Sequence, residues 1–141
     1  MPTVEAPLLE GSAPEAEILR NAAGTVIGYL TAMEARDLAA AEAALGPGFR
    51  MQVPGTSAMT SLSELIGWAR NRYRFVRKAT DAVEAFESGG AVVVYIRGTL
   101  RGAWPDGSPF EGIRFIDRFE VADGKIVRQD VWNDIAEVRG R

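Results

Sequence analysis

The sequence predicts an α+β fold: helices laid on one face of a strongly curved, mostly antiparallel sheet. Two features of its pattern carry that prediction. Apolar residues recur at helical spacing through the first half, then, after about residue 72, give way to alternation punctuated by turn dipeptides. The composition agrees, since 141 residues with 47% hydrophobic and 25% charged side chains suit one soluble globular domain. A chain of that length can enclose a core and a pocket besides.

Residues 1–11 mix Pro, Gly and acidic residues and read as a flexible leader, leaving 12–141 as a single domain. Ser12-Ala-Pro-Glu15 has capping-box spacing, so a helix is expected to start there. Ile18, Leu19, Ala22, Val26, Tyr29, Leu30 and Met33 supply its apolar face. Asp37 is a suitable N-cap for a second helix, DLAAAEAAL, which Gly46-Pro47-Gly48 should stop. FRMQV follows as a short strand ending at Pro54-Gly55. Ser61-Leu-Ser-Glu64 opens a third helix whose apolar face is Leu62, Leu65, Ile66, Trp68 and Ala69. Residues 72–87 then read as a long strand, turned by Ser88-Gly89-Gly90 into AVVVYIRGTLRG. After the turn Trp104-Pro-Asp-Gly107 comes GIRFIDRFEV, and the hairpin signal Asp123-Gly124 leads into KIVRQDVWND.

Composition narrows the chemistry. With no cysteine and no histidine, the chain has no disulfide, no thiolate nucleophile, no Ser-His triad and no conventional zinc site. Any reaction must run on carboxylates, Tyr, Lys, Arg or amides, and neither a metal nor another cofactor is expected. The net charge of −3 argues against a nucleic-acid surface. No apolar run approaches the ~20 residues of a membrane span. The first residues, MPTVEAPLLE, lack the basic start and apolar core of a signal peptide, so a cytoplasmic location is the expectation. The basic residues Arg70, Arg72, Arg74, Arg77 and Lys78 are offset by Glu64, Asp81, Glu84 and Glu87, and read as a solvated face.

Strand alternation nominates the side chains that face a cavity. In GIRFIDRFEV, Ile113, Phe115, Asp117, Phe119 and Val121 share one face, and Asp117 alone among them is polar. A carboxylate set among such side chains is desolvated, which favours its protonated form unless a cation such as Arg97 reaches it as a structural ion pair. Gln129, Val131 and Asn133 share one face of the last strand, where the amides can bind a ligand or be satisfied by backbone. Met51, Trp68 and Phe115 can line an apolar cavity or simply fill the core. On the opposite face Ile116 and Trp132 form an apolar patch among charged residues, which a second copy of the chain would cover.

The stretches VIGYLTAMEARDLAAAEAAL, FRMQVPG, FIDRFEVADGKI and VWND, in that order, resemble the NTF2-like superfamily and its SnoaL-like members over roughly residues 15–135. The resemblance implies a cone of bent sheet with three N-terminal helices around a pocket, in many members a homodimer. Ketosteroid isomerases, which share this fold, use a Tyr and a protonated Asp as an oxyanion hole, with a second Asp as base. Val26-Ile-Gly-Tyr29-Leu and Ile116-Asp117-Arg-Phe119 are similar to the segments that carry that pair, so Tyr29 and Asp117 fall on the oxyanion positions. The base position is taken by Val53, which cannot act as one. Limonene-type epoxide hydrolases use an Asp-Arg-Asp set with Tyr and Asn. Only Arg97 matches it, Thr99 and Val131 standing where the acids belong and Met51 and Val53 in the region of the Tyr and Asn.

Together these readings describe a protein that binds a small, apolar, oxygenated molecule. As an enzyme it would act on a carbonyl as an isomerase, cyclase or lyase through Tyr29 and Asp117, with Arg97, Gln129 and Asn133 positioning the substrate. A non-catalytic ligand-binding or protein-interaction module is the alternative.

Overall fold

The computed structural model describes residues 13–139, so the expected leader and the capping role of Ser12 lie outside the described residues. Helix α1 (Ala13–Glu34) presents Leu19, Ala22, Ala23, Val26, Tyr29, Leu30 and Met33 to the core, at the predicted spacing. Ile18, expected on that face, is instead half exposed. The helix ends in a Schellman arrangement, Arg36 N–H donating to the Met33 carbonyl and Asp37 N–H to that of Ala32. The position that usually holds glycine is occupied by Arg36, at φ 57°. Asp37 then caps the short α2 (Leu38–Ala43), its carboxylate accepting the Ala40 N–H.

Strand β1 (Leu45–Gln52) starts earlier than expected and absorbs Gly46-Pro47-Gly48, read from sequence as a stop. It is an edge strand, where a proline costs no ladder hydrogen bond, and its register is broken between Leu45 and Arg50. Helix α3 (Leu62–Ala69) has Ser61 as N-cap, and the Glu64 carboxylate reaches back to the Thr60 N–H at 3.0 Å. The long strands are β2 (Phe75–Ser88), β3 (Ala91–Ala103), β4 (Pro109–Ala122) and β5 (Lys125–Asn133). Residues 72–74, expected in the first of them, belong to the turn out of α3. The chain closes with a short helix, α4 (Ile135–Arg139), that the pattern does not reveal.

The sheet has the order β1-β5-β4-β3-β2, antiparallel throughout except where β1 runs parallel to β5, and is curled but not closed. The ladder is bulged at two places, by Asp81 on β2 and by the Glu111-Gly112 stretch of β4 opposite Arg101 of β3, and bulges of this kind bend a sheet. Two glycines permit the bend: a Cβ on Gly98 would lie 1.9 Å from the Ala79 carbonyl oxygen, and one on Gly102 2.0 Å from that of Phe75. The bend folds the first half of β2 over the concave face, where α1 also packs, and a pocket remains between them. Among the described residues no helix is long and apolar enough to cross a membrane.

Candidate functional site

The pocket is a cavity of about 230 Å³. That is smaller than the ~300–1,000 Å³ typical of drug-sized ligands, so it suits a molecule of one or two rings. Met51, Phe115 and Val131 line it from the sheet, Val53 from just past β1, and Trp68 from α3. Its polar end is built by four elements, α1, β5, β4 and β2. Tyr29 comes from α1, its ring edge-on to Phe119 with centroids 6.1 Å apart, and its hydroxyl donates to Gln129 Oε1 on β5 at 3.1 Å. Asp117 comes from β4, between Ile96 and Val131 in the ladder, and is fully buried.

Lys78 completes the cluster. It leaves β2 where the sheet bends, passes over the Phe115 ring with its ammonium 4.9 Å from the centroid, and donates to Asp117 Oδ2. The other oxygen, Asp117 Oδ1, is buried and has no hydrogen-bond partner. Burial raises the Asp117 pKa above its ordinary value, against the opposing pull of Lys78 and, less strongly, of the Gln129 amide. Burial, and then the charge of Asp117, push the Tyr29 hydroxyl well above its ordinary value. Tyr73, also on the pocket wall, is raised by burial while Arg36 and Arg72 act to lower it.

Most residues nominated from sequence therefore meet: Tyr29, Asp117, Met51, Val53, Trp68, Phe115, Gln129, Val131 and Asn133 all border this cavity. The Asn133 amide oxygen is already engaged, accepting the Ile135 N–H at the start of α4. Arg97 does not join them. It pairs with Ile116 in the ladder, one residue from the Asp117 partner Ile96, so it points from the convex face and borders a second, open groove with Thr99, Arg114 and Trp132. The ion pair expected between Arg97 and Asp117 is made by Lys78 instead. A further correction concerns the basic run: Arg74, Arg77 and Lys78, read as a solvated face, border the pocket, as does Arg36. Among the described residues no group of three or more Asp and Glu side chains is placed to hold a metal ion.

Comparisons with known proteins agree with this architecture. The family model of the SnoaL-like domain matches residues 26–129. An NTF2-like protein of unknown function from Burkholderia pseudomallei superimposes with a TM-score of 0.69 at 25% identity, over 84% of this chain and 94% of that one. A candidate SnoaL-like polyketide cyclase from a Jannaschia species gives 0.68 at 19% identity, over 92% and 94% of the two chains. An LEH-like epoxide hydrolase from M. tuberculosis gives 0.62 at 20% identity, over 86% and 89%. A search of curated protein sequences found no significant match.

Proposed function

This chain belongs to the SnoaL-like domain family, and on that premise we propose that it binds a small carbonyl-bearing ring compound and moves a proton at the carbon next to the carbonyl. The observation that carries the reading is the fully buried Asp117, with one oxygen on Lys78 and the other without a partner, at the end of an otherwise apolar pocket. A carboxylate so desolvated has a raised pKa and is a stronger proton acceptor than a carboxylate in water. It supplies the base that Val53 cannot. When Asp117 takes the α-proton, the electron pair moves onto the carbonyl oxygen, and an enolate forms. Lys78, with three N–H donors and one of them on Asp117, is available to that oxygen; Tyr29 joins it by turning its single hydroxyl hydrogen away from Gln129 Oε1, and the apolar walls strengthen both by excluding water. In this assignment Tyr29 remains an oxyanion donor, and Lys78 takes the donor role that a protonated Asp117 would have held.

The Lys78–Asp117 pair also favours a second reading, a binder without catalysis, because the pair neutralises itself. Hydrogen–deuterium exchange separates the two. 2-Tetralone in D2O, followed by proton NMR, should lose its α-hydrogens faster with the protein than with buffer. Asp117→Asn should slow that exchange by about 10²-fold or more while keeping the ligand bound. Binding without accelerated exchange leaves the non-catalytic reading; no binding removes both.

The outer face belongs to the same proposal. Trp132 is 51% exposed there beside the partly buried Ile116, and a second copy of the chain would cover both. Light scattering should report a dimer at high micromolar concentration and a monomer for Trp132→Asp. A wild-type monomer overturns the assignment.

A further inference from the structure

The pocket mouth carries a charge that the proposed proton transfer does not use. The chain is acidic overall, yet this pocket is bordered by Arg36, Arg74, Arg77 and Lys78 against Glu34 and Asp117. Lys78 is charge-paired with Asp117, and Glu34 Oε2 accepts the backbone N–H of Lys78 at 3.0 Å. Arg74 is turned toward the 105–107 turn, where its Nε donates to the Pro105 carbonyl at 3.0 Å. Asp106, in that turn, feels its charge.

Arg36 and Arg77 remain, and they come together at the end of α1. Arg36 Nη1 donates to the Met33 carbonyl at 2.8 Å, and Arg77 Nη1 to the adjacent Glu34 carbonyl at 3.3 Å. The Arg77 guanidinium also lies over the Phe75 ring, 5.3 Å from its centroid. Among the described residues neither has a carboxylate within ion-pair distance. A guanidinium offers five N–H donors, and each of these spends one on a helix-end carbonyl, which orients it and leaves most of the fork free. Capping one helix end does not need two of them. Arg36 moreover sits at φ 57°, a left-handed conformation that is strained for a non-glycine residue. Glycine would relieve that strain at the loss of the charge.

We propose that the ligand of this pocket carries a carboxylate or a similar oxyanion, which Arg36 and Arg77 hold at the mouth while its ring system lies inward against Trp68 and Phe115. This rests on the reading of the pocket as a ligand site, and it narrows the ligand class to amphipathic ring acids.

Two probes that differ only by a carboxylate test it: 2-naphthol and 6-hydroxy-2-naphthoic acid, titrated by fluorescence at low ionic strength. The wild type should bind the acid about tenfold or more tightly than the naphthol, with the preference shrinking as salt is added. Arg36→Gln with Arg77→Gln should abolish the preference and leave 2-naphthol affinity within about twofold. Arg36→Gly, which suits the left-handed backbone and so keeps the fold, should alone reduce the preference. Equal binding of the two probes by the wild type overturns the proposal and leaves the pocket reading standing. A preference that survives in the double variant assigns the carboxylate to Lys78 and overturns it as well. If neither probe binds, the pocket reading fails and takes the proposal with it.

Discussion

Replacing Lys78 by Met removes one charge and keeps the length of the side chain over Phe115, so it isolates the ion pair. Asp117 is fully buried and the Lys78 side chain is only 18% exposed, and their contact is direct. Removing one partner of a buried pair costs ~3–5 kcal/mol, and the solvent that reaches Lys78 brings the expectation to about 2–3 kcal/mol. For a chain of this size that lowers Tm by roughly 6–15 °C. The pH dependence is the sharper signature. Burial raises the folded-state pKa of Asp117 above its ordinary value of 3.8, so the folded chain holds a proton that the unfolded chain has released. The stability tied to that proton is complete below the unfolded value and is lost as pH rises through the folded value. Lys78 holds the folded value down, so Lys78→Met moves it further up and prolongs the loss. Melting curves of the two proteins should therefore lie close together in acid, separate as pH rises through the wild-type folded value, and run parallel above the variant's own. Adding Asp117→Asn to both should remove the pH dependence of the gap. A gap that is constant with pH, or widest in acid, would refute the assignment of Lys78 as the partner of a buried, titrating Asp117.

The remaining expectations concern the fold that builds the pocket. Gly98→Ala would set a Cβ 1.9 Å from the Ala79 carbonyl oxygen, so the β2–β3 ladder must move. Chemical denaturation should show a loss of about 2–4 kcal/mol, and an unchanged midpoint would contradict the close approach. Gly24→Ala meets nothing within 4 Å on the exposed side of α1 and should add about 0.5–1 kcal/mol in the same assay. Ser61→Ala removes the oxygen that accepts the Glu64 N–H at 3.2 Å and should cost about 1 kcal/mol, a loss that Ser61→Asp restores.

The fold was legible because each of its levels repeats one message. The face of α1 that carries Val26, Tyr29 and Leu30 is buried as its spacing demands, and Asp117 shares the inner face of β4 with Phe115 and Phe119. The Ser88-Gly89-Gly90 and Asp123-Gly124 signals are tight turns with positive φ at Gly89, Gly90, Asp123 and Gly124. What escaped the pattern depends on long-range pairing. Pro47 reads as a break until β1 is known to be an edge strand, and the parallel pairing of β1 with β5 joins segments too far apart for local spacing to report.

The same logic explains how the site was both found and misread. Alternation along β4 and β5 is regular around Asp117 and Gln129, so their common face follows from sequence alone. Along β2 it is not. Counting outward from the buried Val83 and Ala85 puts odd-numbered residues inside and turns Lys78 to solvent. Asp81 is an extra residue in the ladder, since Thr80 pairs with Gly98 and Ala82 with the adjacent Arg97. One inserted residue exchanges the two faces of everything before it, so Lys78 points inward and makes the ion pair with Asp117 for which Arg97 was the expected partner. The bulge that spoils the sequence reading is also what bends β2 over the cavity. The irregularity therefore turns the cation toward Asp117, which is why Asp117 could be read from its own strand while its partner could not.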